Sequence, residues 1–212
     1  MQIIIVTSLL DRVGKTTLAV NLAAGLAQKG QRTLLVDLSG NDDLLNWLRS
    51  SLQDHNVIDK SCAISDFQWR PNLWVQFFNS TDDFELWADR YDFIMVDFTM
   101  NHRMPGTGAY DSASESIEGA AVLCWSLSVS VRWMLNASET VILVTPLRDL
   151  NQRDLLAANR EIRKHRNDSA KSGFELIVPS MVQPRAWEEN ELGLITLVDL
   201  FGEEVVADPI PT

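Results

Sequence analysis

The chain has 212 residues, 46% of them hydrophobic, which is enough for one compact domain with a substantial core. Its longest apolar runs, Ile3-Ile4-Ile5-Val6 and Val141-Ile142-Leu143-Val144, fall well short of the roughly 20 residues of a membrane-spanning helix, so a spanning segment is excluded. A formal net charge of −11 means that the molecule as a whole repels phosphate backbones and anionic lipid, and any such contact must be local.

In chain order, residues 2–7 are β-branched from Ile3 onward and predict a strand, residues 18–28 repeat apolar side chains at helical spacing with Gly30 as the stop, and residues 33–38 are mainly apolar again. Further strands are expected at 73–78 and 93–96, with a helical stretch at 82–90 between them. Residues 101–119, rich in Gly, Ser and Thr, read as a long surface loop before an apolar helix over 120–135. A strand at 140–145 meets Pro146 and leads into a helix over 149–166, and a last strand fills 174–178. Short, continuously apolar strands alternating with helices predict a mainly parallel sheet with helices on both faces, joined by right-handed crossovers. The expected architecture is a doubly wound α/β fold forming a single domain over 1–212.

Between the first strand and the first helix stands Ser8-Leu9-Leu10-Asp11-Arg12-Val13-Gly14-Lys15-Thr16-Thr17. Gly14-Lys15-Thr16 matches the end of the Walker A phosphate loop, in which backbone N–H groups at a helix N-terminus cradle phosphates. Gly14 allows close approach of the chain, Lys15 neutralises phosphate charge, and Thr16 is short enough to place its hydroxyl on a magnesium ion. The opening glycine of the pattern falls at Leu9, and a bare Gly-Lys-Thr also describes an exposed helix start with a solvated lysine. The surroundings favour the phosphate loop: Asp37 follows Leu34-Leu35-Val36 and Asp97 follows Ile94-Met95-Val96, each at the end of an expected strand. Ligands of open parallel sheets collect beyond the carboxyl ends of strands, so both carboxylates are candidates for the metal and phosphates. The plainer reading is that each caps the turn after it.

These segments resemble the ParA/MinD family of deviant Walker A P-loop ATPases over nearly the whole chain. Leu10-Asp11-Arg12-Val13-Gly14-Lys15-Thr16-Thr17 stands where the family has Lys-Gly-Gly-Val-Gly-Lys-Thr-Thr, and Leu18-Ala19-Val20-Asn21-Leu22-Ala23 is also family-like. Asp37-Leu38-Ser39-Gly40-Asn41-Asp42-Asp43 stands at the Asp-x-Asp-Pro-Gln-Gly-Asn segment, and Tyr91-Asp92-Phe93-Ile94-Met95-Val96-Asp97 at the Tyr-Asp-x-Ile-Ile-x-Asp strand. Thr140-Val141-Ile142-Leu143-Val144-Thr145-Pro146 matches the family strand that ends in proline. The resemblance implies a P-loop NTPase fold, ATP or ADP and Mg²⁺ as ligands, a homodimer governed by nucleotide state, a further protein partner, and slow Mg-dependent ATP hydrolysis. It implies Asp11, Arg12, Val13, Gly14, Lys15, Thr16, Thr17 and Pro146 as nucleotide contacts, and Thr16, Asp37 and Asp97 as metal residues. Lys15, Asp37 and Asp43 are then the catalytic candidates.

The sequence departs from the family at defined places. The lysine that reaches a partner's nucleotide is Leu10, whose apolar side chain makes no ionic contact, and the paired glycines are Asp11 and Arg12. The first of these repels phosphate and the second binds it. The second aspartate of the switch segment is Ser39, leaving Asp37 or Asp43 as substitutes, and the family's adenine-contacting asparagine falls near Pro179-Ser180. Arg148 and Arg153 are candidates to replace the absent lysine. A non-hydrolysing interaction module and a dethiobiotin-synthetase-like ATP-dependent ligase remain as alternative readings.

Three further expectations come from the rest of the chain. Arg160, Arg163, Lys164, His165, Arg166 and Lys171 form a basic cluster, which suits either non-specific DNA or the ordinary preference of cations for a helix C-terminus. Glu203-Glu204-Val205-Val206-Ala207-Asp208-Pro209 is a poor lipid anchor, so no membrane attachment is expected, and the start Met1-Gln2-Ile3 carries no secretory leader, which points to the cytoplasm. Cys62 and Cys124 lack the spacing of a disulfide framework or zinc site, and the seven tryptophans are expected as core or interface anchors.

Overall fold

The computed structural model describes residues 1–38, 44, 47–48, 67–77, 87, 89–100, 129–148, 150–166, 173–182 and 186–211. Within them lie strands β1 (Gln2–Ser8), β2 (Thr33–Asp37), β3 (Phe67–Arg70), β4 (Leu73–Phe77), β5 (Phe93–Thr99), β6 (Thr140–Pro146) and β7 (Leu176–Ser180). They form one sheet in the order β3-β4-β2-β5-β1-β6-β7, parallel throughout except for the β3–β4 hairpin. The hairpin turns at Pro71-Asn72, where Asn72 takes a φ of 61°, a left-handed conformation that asparagine tolerates better than most residues.

The described helices are α1 (Lys15–Gln28), α2 (Val129–Ala137), α3 (Gln152–Lys164) and α4 (Trp187–Phe201). Two apolar clusters show why the strands carry no polar face. Ile3, Ile5, Leu34, Val36, Ile94 and Val96 point to one side of the sheet, with Met134 and Leu135 of α2, Leu155 and Ile162 of α3, and Leu197 of α4. Val6, Leu35, Met95, Ile142 and Val144 point to the other, with Ala19, Val20, Ala23 and Ala27 of α1 and with Leu44 and Leu48. Side chains alternate across a strand, so burial of both alternating sets requires the continuous apolar runs seen in the sequence. The expected doubly wound sheet, covered on both faces, is the fold observed.

Several boundaries differ from expectation for local reasons. Helix α1 begins at Lys15 rather than at residue 18, because Gly14 caps it with φ 83° and its carbonyl already accepts from the Leu18 N–H at 2.9 Å. The Lys-Thr-Thr of the phosphate loop is therefore the first helical turn. Helix α3 begins at Gln152 rather than 149, because the Asn151 side chain accepts from the N–H groups of Arg153 (3.1 Å) and Asp154 (3.4 Å). Strand β5 runs on to Thr99, since Phe98 and Thr99 still pair with Thr7 and Ser8. β3 and α4 have no counterpart in the sequence reading. The helix expected over 120–135 is observed in its described part as α2, while most of the helix expected at 82–90 and the loop at 101–119 lie outside the described residues.

A buried arginine ties the far end of the sheet. Arg166 donates to Glu175 Oε2 at 2.7 Å and to the carbonyls of Ser138 and Glu139 at 3.1 Å each, while Glu175 also accepts from the Val141 N–H at 2.7 Å. The entries to β6 and β7 and the exit of α3 are thus fastened to one guanidinium. Among the described residues no helix is long and apolar enough to cross a membrane.

Candidate functional site

Strand β1 has β5 on one side and β6 on the other. The chain leaves β1 to build β2 and β4 beyond β5, and later returns to build β6 and β7 on the opposite side, so the crevice at the carboxyl end of β1 is the topological switch point. The loop of residues 9–14 fills that position.

The loop is shaped by its backbone. The Ser8 hydroxyl donates to the Leu10 carbonyl at 2.8 Å, closing the first turn, and the Ser8 carbonyl accepts from Met100 N–H at 3.0 Å. Arg12 takes φ 60° and Gly14 φ 83°, two left-handed residues within three positions. A Cβ added at Gly14 would meet no atom within 4 Å, so glycine is required there by its dihedral and not by crowding. Val13, at 3% exposure, plugs the loop into the cluster beneath α1, while Leu10, Asp11, Arg12 and Gly14 face solvent. Thr17 is also exposed, its carbonyl accepting from Asn21 Nδ2 at 2.8 Å.

Lys15 and Thr16, in the first turn of α1, converge on Asp97. The Lys15 ammonium forms an ion pair with Asp97 Oδ1, and the Thr16 hydroxyl donates to Asp97 Oδ2 at 2.7 Å. Both charged side chains are buried, Lys15 at 8% and Asp97 at 0% exposure, so each neutralises a partner that would otherwise be a costly isolated charge. Asp97 is not at a strand end as the sequence suggests, but two residues inside β5, in register with Val6 of β1 and with Asp37 of β2. Asp37, also buried, does end its strand. The Leu38 N–H donates to the Asp97 carbonyl at 2.8 Å, holding Leu38, directly after Asp37, against β5. Two carboxylates, a lysine and a threonine hydroxyl thus occupy one corner of the sheet.

The donor set suits Mg²⁺ with a nucleotide. Hydroxyl and carboxylate oxygens are ligands for a hard cation, and the first turn of α1 has no acidic residue to compete with phosphate for its amides. Among the described residues no three His, Cys, Asp or Glu side chains converge as a metal cage. Magnesium is commonly held by one or two carboxylates together with phosphate oxygens, and the residues present fit that arrangement. Thr16, Asp97 and Asp37 would hold the ion, and Lys15 and the loop amides would hold the phosphates.

Of the remaining expected residues, Pro146 ends β6 and is half-buried beside Ser180 of β7, while Asp43 lies outside the described residues. Arg148 pairs with Glu189 of α4 at 2.8 Å, and Arg153 is exposed on α3. The basic cluster is smaller than the sequence suggests, because Arg166 is internal and Lys164 donates to Glu161 at 2.8 Å. Arg160 and Arg163 remain exposed on that helix, and Lys171 lies outside the described residues. Trp133 departs from the expected burial of tryptophan, being 39% exposed, whereas Trp87 is buried. The role of Ser8 was missed; a serine directly before the loop is the available signal, since its hydroxyl can close a turn on nearby backbone.

A profile of the CobQ/CobB/MinD/ParA nucleotide binding domain matches residues 4–212. Among solved structures, a plasmid partition protein from Borrelia burgdorferi is similar with a TM-score of 0.65 at 16% identity, covering 99% of this chain and 89% of that one. Cobyrinic acid a,c-diamide synthase from Mycobacterium smegmatis, with bound ADP and magnesium, gives 0.63 at 19% identity, with coverage of 99% and 86%. The MinC:MinD cell division protein complex of Aquifex aeolicus gives 0.57 at 18% identity, with coverage of 100% and 81%. At these identities the likeness is one of fold. No curated protein sequence is significantly similar to this one.

Proposed function

The chain belongs to the CobQ/CobB/MinD/ParA nucleotide-binding domain family, and from that premise we propose that it binds ATP with Mg²⁺ on the loop of residues 9–14 and the first turn of α1. ATP is hydrolysed slowly there, and the nucleotide state controls homodimerisation and partner binding in the cytoplasm. The observation that carries this reading is the convergence of Lys15, Thr16 and the buried Asp97 at the switch point of the sheet. Lys15 and Asp97 satisfy one another in a buried ion pair. On this reading the Lys15 ammonium would turn to the phosphates and Thr16, Asp97 and Asp37 would hold the magnesium ion, whose charge would then stand beside the buried Asp97 carboxylate. The ion, when bound, supplies charge neutralisation and polarises the phosphate oxygens. Asp37, and Asp43 on the segment beyond it, are the carboxylates proposed to position the attacking water.

A specific observation favours a second reading. Leu10 is 46% exposed on the loop where the family's lysine would stand, and it offers no charge to a nucleotide held by a second copy. A nucleotide-binding interaction module with little turnover follows if no other cation takes that role. Calorimetry of ATP binding with Mg²⁺, phosphate release and molecular mass in the same buffers separate the two. Binding with turnover and a monomer-to-dimer shift supports the switch, and binding without turnover supports the module. Absence of binding in the parent chain removes both. Thr16→Ala is a better control than Lys15→Ala, because it leaves the buried Asp97 paired.

A further inference from the structure

Helix α4 presents an outer stripe that the nucleotide site does not use. Leu192 is 67% and Ile195 50% exposed, among the most exposed large apolar side chains of the described residues, and they are one turn apart on the same face. Glu188, Glu191 and Asp199 are exposed at helical spacing around them. The opposite face is fixed: Leu197 is fully buried, and Gly193 packs so closely that a Cβ there would lie 2.3 Å from the Leu147 carbonyl oxygen. The helix therefore cannot roll to bury its outer stripe.

We propose that this stripe docks a basic amphipathic helix of a partner protein, with apolar anchors over Leu192 and Ile195 and Lys or Arg facing the acidic rim. Charge selects the occupant. Between residues 187 and 212 the chain has seven acidic side chains and no lysine or arginine. Glu189 is paired with Arg148, but Glu188, Glu191 and Asp199 around the stripe leave it acidic, so a second copy packed face to face would set acid against acid. Anionic lipid is repelled for the same reason. A helix with apolar residues at i, i+3 and i+4, ringed by cations, satisfies both the exposed aliphatic surface and the unbalanced charge. The inference does not rest on nucleotide binding.

The test uses the full chain and a fluorescein-labelled helical peptide with leucines at that spacing ringed by lysines, beside a twin with glutamate in place of each lysine. The lysine peptide is expected to bind and the glutamate twin not. Leu192→Ser with Ile195→Ser is expected to weaken binding about tenfold or more. Glu188→Lys with Glu191→Lys alters only exposed side chains and is expected to reverse the preference between the peptides. Failure of the lysine peptide to bind, equal binding of its twin, or affinities unchanged in both double variants overturns the proposal. Light scattering and phosphatidylglycerol vesicle sedimentation supply two further outcomes that overturn it: a loss of self-association, or a loss of vesicle binding, in the serine double variant.

Discussion

Lys15 and Asp97 depend on one another for charge balance in the interior. Removing the cation in Lys15→Met leaves a fully buried carboxylate without its counter-ion, a change that costs about 3 kcal/mol or more. Adding Asp97→Asn removes the stranded charge, so the double variant is expected to recover most of that loss in urea unfolding; equal instability of single and double variants would contradict the pairing. A second prediction concerns pH. Asp92 accepts from the guanidinium and the backbone N–H of Arg32, chiefly the guanidinium, and its pKa is lowered from the ordinary carboxylate value. A depressed folded pKa contributes stability that is present above the unfolded value and lost as pH falls through the folded one. Asp92→Asn should therefore flatten the acid limb of the stability profile below the usual carboxylate range and leave the neutral region nearly level. The identities of Lys15 and Thr16 were legible because their spacing from Gly14 is a local pattern. Their contact with Asp97 was not, since it closes across 82 positions and is created by the parallel pairing of β1 with β5.

The apolar strands read correctly because burial on two faces leaves a continuous local signal, and β2, β4, β5 and β6 were each anticipated within a few residues. β3 escaped because Phe67-Gln68-Trp69-Arg70 is only four residues long and is followed by Pro71; its place comes from antiparallel pairing with β4. α4 escaped for a different reason. Its buried positions include Asn190, Gly193 and Leu197, so the helical repeat passes through a polar residue and a glycine, while Leu194-Ile195-Thr196-Leu197-Val198 mimics a strand. Gly193 stands there for contact and not for flexibility. Gly193→Ala should push α4 off Leu147 and destabilise the fold by about 1–3 kcal/mol, although alanine is the better helix former. A thermal shift upward in this variant would show that the contact yields easily.

At the scale of the molecule, the net charge of −11 acts against any homodimer. Two copies brought together repel, and added salt screens that repulsion over a Debye length of roughly 8–10 Å. The nucleotide-dependent association proposed above should therefore strengthen from low to physiological ionic strength, opposite to the behaviour of a dimer held by complementary charges. Sedimentation at several salt concentrations decides the sign. The contact between Gly193 and the Leu147 carbonyl reaches further than the packing of one helix. Leu147 directly follows Pro146 at the carboxyl edge of the sheet, and Arg148 reaches Glu189 from the same short segment. Whatever quiets that segment also quiets α4, so on the reading in which Pro146 contacts the nucleotide, amide hydrogen exchange along residues 187–201 should slow when Mg-ATP is added. By reciprocity, any factor by which nucleotide changes the affinity of the outer stripe is the factor by which occupancy of the stripe changes the affinity for nucleotide.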